Sequence, residues 1–240
     1  MTDEQKELLQ GGMEQIGLEC TAQRSEAFGL LVSELVEWNT HVNLTATATP
    51  EEIIKRHLLD SLSLIDACRL DGAGSLIDVG CGAGFPGLPL KIMMPKLQVG
   101  FLDSTEKKLK FIEHMDDLLN IKNVEYLHMR AEEAGRSAAH REKYDAAVAR
   151  AVAELRVLAE YCLPLVKTGG VFVAMKGPDA AQELDEARGA IDLLGGEVEA
   201  VRRFTLPMTE LGRTIIIIRK RKPTPEKYPR PNAKIEKKPL

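Results

Sequence analysis

Disulfide and metal chemistry have little to work with in this chain. Its 240 residues hold four cysteines, Cys20, Cys68, Cys81 and Cys162, scattered and with no Cys-x-x-Cys pair. That spacing offers neither a disulfide framework nor a zinc ligand set, so a reducing compartment and no bound metal are expected. Aromatics make up only 5% of residues and Trp38 is the single tryptophan, so the core must be mainly aliphatic. No run approaches the ~20 apolar residues that span a bilayer. The opening Met1-Thr2-Asp3-Glu4-Gln5-Lys6 lacks the apolar stretch of a signal peptide. These absences argue against a secreted scaffold and a membrane protein, and the expected location is the cytoplasm. Internal repeats and low-complexity blocks are lacking as well.

What is present suits one large domain, or a domain with a small extension, long enough to bury a core without staples. Hydrophobic content of 44% and charged content of 28% are ordinary for a globular protein. The charge is unevenly placed. From Arg213 to Leu240 ten Lys or Arg face two acids, Glu226 and Glu236, a balance of +8, so with −4 overall residues 1–212 carry −12. A basic tail on an acidic body suits contact with nucleic acid at one place, although a solvated tail has the same composition. Lys227-Tyr228-Pro229-Arg230-Pro231 favours RNA, because an aromatic among basic residues can stack on a base while its neighbours meet phosphates.

The richest motif is Asp78-Val-Gly80-Cys-Gly82-Ala-Gly84-Phe85-Pro86-Gly87, directly after the apolar Ser75-Leu76-Ile77. Glycines permit positive φ and close backbone approach by a ligand, and proline suits a first helical turn. This is a nucleotide-type pocket at the end of a first strand. Gly82-x-Gly84-x-x-Gly87 formally fits a dinucleotide fingerprint, whose backbone cradles a pyrophosphate. The longer Asp78-x-Gly80-x-Gly82-x-Gly84 instead fits the acidic glycine loop of S-adenosylmethionine (SAM) methyltransferases, and SAM carries no pyrophosphate. The next strand ends at Asp103, 23 positions after Gly80. That spacing suits a ribose-binding carboxylate in either class.

Organisation follows from periodicity. Residues 1–70 read as a helical extension, with Phe28, Leu31, Leu35 and Trp38 on one helical face and a second helix over 50–68, capped by Thr49. From Ser75 the pattern alternates. Strands are predicted at 75–80, 97–103, 123–128, 144–149, 169–175, 197–204 and 213–220, with helices at 86–94, 105–119, 131–139, 153–166 and 179–194. This rhythm implies a doubly wound, mostly parallel α/β sheet. Thr205 to Gly212 is too short for a helical crossover, so the last two strands must pair antiparallel. The expected layout is a helical extension (1–70), a cofactor-binding domain (71–222) and a basic tail (223–240). A seven-stranded sheet ending in such a hairpin favours a methyltransferase over a dehydrogenase.

With these residues in place, the chain resembles the RsmG (GidB) family of bacterial small-subunit (16S) ribosomal RNA methyltransferases, which modify guanine at nitrogen-7. The resemblance spans nearly the whole length. It rests on Asn43-Leu44-Thr45-Ala46, Arg56-His57-x-x-Asp60-Ser61, Asp78 to Gly87, Asp103-Ser104, Arg130-Ala131-Glu132, Ala149-Arg150-Ala151, Lys176-Gly177 and Lys227-Tyr228-Pro229-Arg230. Two features depart from it: Cys81 stands where the family often has serine, and Pro231-Asn232-Ala233-Lys234 replaces a glycine-containing basic segment. The resemblance implies a class I, Rossmann-like SAM-dependent fold, SAM as cofactor, and a small-subunit RNA or particle as partner; a monomer is expected, although the sequence itself leaves the oligomeric state open.

Roles follow residue by residue. Asp78, Gly80, Gly82, Gly84 and Phe85 should form the SAM pocket, with Phe85 equally suited to the core. Asp103 should take the ribose, with Ser104 and Thr105 at the edge, although Asp103 could equally cap the following helix. By resemblance Ala131 and Glu132 belong to the cofactor site. Arg150 follows the fourth strand at the rim where the methyl group leaves. It could meet guanine, the SAM carboxylate or a structural acid. His57 and Asp60 share a helical face, but guanine nitrogen-7 has a free lone pair and no proton to lose, so no general base is needed. Arg150, Lys176, His57 and Asn43 are therefore positioning candidates, and Arg56, Lys227, Tyr228 and Arg230 RNA-binding ones. The rivals are a SAM methyltransferase acting on a small molecule or protein, an inactive RNA-binding module on the same fold and, last, a dinucleotide oxidoreductase.

Overall fold

The computed structural model describes residues 1–46, 49–68, 73–150 and 153–240, with the side chains of 66–68 excepted. Ala151 and the expected boundary near residue 70 lie outside the described residues. The strands are β1 Ser75–Val79, β2 Gln98–Asp103, β3 Val124–His128, β4 Tyr144–Arg150, β5 Val166–Lys176, β6 Gly196–Thr205 and β7 Gly212–Lys220. They form one sheet in the order β3-β2-β1-β4-β5-β7-β6. β7 runs antiparallel to both β5 and β6, and the other pairings are parallel. The short 205–212 link thus makes the expected hairpin.

The helices before the sheet are α1 Asp3–Gln15, α2 Ala22–Asn39, α3 Pro50–Ile53 and α4 Asp60–Cys68, with a π-helical segment, Ile54–Leu59, joining the last two. Within and after the sheet come α5 Gly87–Met93, α6 Glu106–Leu118, α7 Ala131–Ala134, α8 Leu155–Cys162, α9 Ala181–Leu193 and α10 Asn232–Lys237. Three differences from the sequence expectation stand out. The helix expected over 131–139 is only the four-residue α7, the one over 50–68 contains the π segment, and α10 was not anticipated.

The central strands are buried on both faces, which is why β7 carries the unbroken apolar run Ile215 to Ile218. Ile215 and Ile217 join the cluster that holds Leu9, Phe28, Leu58 and Phe101, under the amino-terminal helices. Ile216 and Ile218 join the opposite cluster, with Leu158, Ile191, Tyr228 and Ile235. The period-two alternation of a strand makes this division. A Cβ at Gly12 would lie 2.3 Å from Leu59, so glycine lets α1 cross closely over the π segment. That segment carries Arg56 and His57, which line a cavity together with Arg150, the last residue of β4. The strand order reverses at β1, between β2 and β4, and a ligand crevice belongs at that switch point.

Candidate active site

The loop after β1 is held by its own backbone. The N–H groups of Gly80 and Cys81 donate to the Leu102 carbonyl, and those of Gly84 and Phe85 to Cys81. Gly82 N–H donates to Asp103 Oδ2 at 3.0 Å and Gly87 N–H to Asp78 Oδ2 at 2.8 Å. These donors are spent inside the protein, so the loop offers no row of free amides for a pyrophosphate. Gly84, at φ +84°, would bring a Cβ within 2.5 Å of Leu88. At Gly87 a Cβ would meet Phe101 at 2.4 Å and Asp78 at 2.8 Å. Asp78 is fully buried and its Oδ1 has no partner among the described residues. Burial pushes its carboxyl up to about 7.

A cavity of about 700 Å³ opens at the carboxyl ends of β1, β2 and β4. Gly80, Asp103, Ser104, Thr105, Ala131, Glu132 and Arg150 line it, all expected. Asp78, Gly82, Gly84 and Phe85, also expected there, do not. Asp78 and Gly84 brace the loop from beneath, while Gly82 and Phe85 face a neighbouring cavity. The Asp103 carboxylate is shared between Gly82 N–H and Thr105 N–H, the latter at 2.9 Å, so capping and cavity lining coexist. Lining charges are balanced, with Lys108, Arg130, Arg150 and Arg156 set against Asp103, Glu132, Glu154 and Glu236. A zwitterionic nucleoside with a sulfonium fits that balance better than a dinucleotide with two phosphates. SAM therefore fits the residues present.

The neighbouring cavity, about 420 Å³, shares Gly80 and Arg150 with the first. Arg56, His57, Asp60, Phe85, Lys176 and Arg213 are among its other walls. Arg150 organises the partition. It donates to His57 Nδ1 at 2.8 Å, to the Arg56 carbonyl at 3.1 Å and to Asp60 Oδ2 at 3.4 Å, and its guanidinium lies 5.5 Å from the Phe85 ring centre. Arginine only donates, so Nδ1 of His57 accepts and its proton sits on Nε2, facing Thr45 Oγ1 at 3.0 Å. Burial, with Arg150 and Arg56 nearby, drives the imidazole down to about 3, so the ring is neutral at physiological pH. Asp60 is 4% exposed and also accepts from Arg213 Nε at 3.0 Å.

Several expected roles change. Lys176 donates to Glu183 at 2.6 Å and to the Ala153 carbonyl at 2.7 Å, so its charge is already paired. Asn43 is exposed and lines neither cavity, and the neighbouring turn is held by Asn39, whose Oδ1 accepts from the Leu44 and Thr45 amides. Tyr228 is only 7% exposed, which removes its ring from base stacking. Arg230 is bound to the fully buried Glu160, at 2.7 Å from Nη2 to Oε2. Lys227 and Arg56 remain exposed as expected. Sequence reasoning missed Arg213, Tyr161, Asn232 and Glu236. Nothing in local spacing marks them, because each is delivered by packing between distant segments.

Residues 24–211 match the family described as GidB, rRNA small subunit methyltransferase G. Ribosomal RNA small subunit methyltransferase G of Alkaliphilus metalliredigens is 44% identical over 237 residues, covering 99% of each chain. The protein of that name from Acetivibrio thermocellus is 45% identical over 235 residues, 98% of this chain and 96% of its own. In fold, the chain is similar to the ribosomal protein L11 methylase of Lactobacillus delbrueckii subsp. bulgaricus, with a TM-score of 0.51, 14% identity, and coverage of 68% and 77% of the two chains. The sheet is thus the class I methyltransferase fold, and the chain belongs to the rRNA small subunit methyltransferase G family.

Proposed function

We propose that this protein transfers the methyl group of SAM to nitrogen-7 of a guanine in small-subunit (16S) ribosomal RNA. The observation that carries this reading is the pair of adjoining cavities with Gly80 and Arg150 as their common wall. The larger receives the cofactor and the smaller the base. SAM, when bound, supplies an electrophilic methyl group. In the larger cavity Asp103 would accept from the ribose, and Ala131 and Glu132 would lie beside the adenine.

In the smaller cavity the chemistry asked of the protein is alignment, because the nitrogen-7 lone pair is already free. His57 is unsuited to proton abstraction. Its Nδ1 lone pair is engaged by Arg150 and its pKa lies near 3. Arg150 and Arg213 are locked by Asp60, which fixes their remaining N–H groups as donors. Guanine presents O6 as an acceptor beside nitrogen-7, the edge that arginine recognises. Arg56, exposed at the rim, meets the RNA backbone. The amino-terminal helices (1–70) are read as the element that builds the base pocket onto a cofactor domain (71–222).

The test uses small-subunit RNA, free and in particles, from a bacterium lacking this protein. Incubation with labelled SAM, then borohydride and aniline, should label the RNA and cleave it at one guanine. Label without cleavage would refute the nitrogen-7 assignment. No label in either substrate would refute the RNA methyltransferase reading.

A further inference from the structure

The carboxyl-terminal segment is built into the protein rather than trailing from it. Arg141 donates to the Tyr228 carbonyl at 2.8 Å and to that of Thr224 at 2.7 Å, and Arg136 donates to that of Pro229 at 2.6 Å. Glu160, fully buried on α8, accepts from both the backbone N–H and the guanidinium of Arg230. Beyond that anchor the chain turns into α10, whose Ile235 is fully buried in the core. These contacts hold the segment against the stretch that follows α7 and against α8, whose Tyr161 lines the larger cavity.

The inner side of α10 then reaches that cavity. Asn232, Glu236 and Pro239 are among its lining residues, with Glu132 and Tyr161. The Tyr161 hydroxyl donates to Asn232 Oδ1, and Asn232 Nδ2 donates to Glu236 Oε1 at 3.0 Å. This chain of bonds orients the Glu236 carboxylate and leaves Oε2 able to accept. Gly80 and Arg150 mark the base-facing end of the cavity, because they are also walls of the second one. Asn232 and Glu236 line the first cavity and not the second, and Tyr161 lies near both Glu236 and Glu132, the residue read above as flanking the adenine. There a nucleoside presents an amino group and hydroxyls, all donors, and a carboxylate is the matching partner.

We propose that residues 223–240 form a wall of the cofactor site, in which Glu236 accepts a hydrogen bond from the nucleoside part of the cofactor and Asn232 is the positioning residue that aims it. This rests on the SAM reading above and deepens it. It assigns to a segment read from sequence as an RNA contact a role in holding the cofactor. Glu236 is itself exposed at the mouth of the cavity, and Lys234, Lys237 and Lys238 are exposed on the same segment without lining it.

The test is calorimetric titration of S-adenosylhomocysteine into the full-length protein and its variants. E236A and N232A should each raise the Kd at least tenfold, with the melting temperature of the ligand-free protein unchanged. K237A, at a position that does not line the cavity, should leave the Kd within twofold. 5′-Methylthioadenosine, which lacks the amino-acid part, should lose affinity by the same factor as the full ligand. An E236A Kd within twofold of wild type overturns the proposal, and so does an equal loss in K237A. A loss confined to S-adenosylhomocysteine overturns the nucleoside assignment. If the unaltered protein binds neither ligand, the SAM reading fails with it, a result distinct from normal binding that the substitutions do not change.

Discussion

Removing the buried carboxyl under the glycine loop should change how stability depends on pH. Asp78 is fully buried, one oxygen is held by Gly87 N–H, and the other has no partner among the described residues. Its carboxyl moves from 3.8 in the open chain to about 7 in the fold, chiefly because burial disfavours the anion. At 1.36 kcal/mol per pH unit, that difference is about 4 kcal/mol once the group is fully ionised. The sign follows from proton binding. Between the two values the folded state holds a proton that the unfolded chain has released, so stability falls as pH rises. The contribution is complete below 3.8 and is lost as pH passes through about 7. Asp78→Asn keeps the acceptor for Gly87 and does not titrate. In urea titrations of the ligand-free protein, wild-type stability relative to Asp78→Asn should drop by about 2.5 kcal/mol between pH 5 and pH 8. In thermal melts that is roughly 5–10 °C for a chain of this size. A difference between the two proteins that stays constant across this range would refute the buried, neutral Asp78.

Gly87→Ala should cost about 2–4 kcal/mol, combining overpacking against Phe101 with loss of the hydrogen bond to Asp78, and chemical denaturation would read it. His57→Gln should lower the rate of RNA methylation but leave the shape of its pH profile unchanged, because a ring that titrates near 3 carries no proton step at neutral pH. A wild-type limb that vanishes in the variant would restore His57 as a base. The thiols of Cys81 and Cys162, buried and pushed well up by desolvation, should resist iodoacetamide until the protein is unfolded in urea, as peptide mass mapping would show.

The parts of the site legible in sequence are those whose signal is local. A run of glycines after an apolar strand marks the β1 loop, and the spacing to Asp103 follows from the length of one strand–helix unit. The hairpin of β6 and β7 was legible because an eight-residue link cannot hold a helical crossover. Hidden were the partners chosen by three-dimensional packing. Glu160 and Arg230 are separated by 70 positions, and Asp60 and Arg213 by 153. Nothing in the neighbourhood of either residue announces the other. Lys176 looked free because Glu183, its partner, reads as an ordinary first-turn acid of α9.

The tail shows how composition can mislead about available charge. Ten basic residues after position 212 suggested an arm for nucleic acid. Five of them are paired with carboxylates of the acidic body: Arg213 with Asp60, Arg219 with Glu199, Lys220 with Glu142, Arg221 with Glu197 and Arg230 with Glu160. The two halves of the charge asymmetry are therefore one interaction, in which the acidic body holds its own basic strand and tail. Lys222, Lys227, Lys234, Lys237 and Lys238 are exposed with no carboxylate partner among these pairs, and Arg221 is exposed within its surface pair with Glu197. Any salt dependence of RNA binding that arises from this segment should reflect chiefly those five lysines and not the formal +8, because Arg213 and Arg230 are held by the buried Asp60 and Glu160 and release no counterion from RNA.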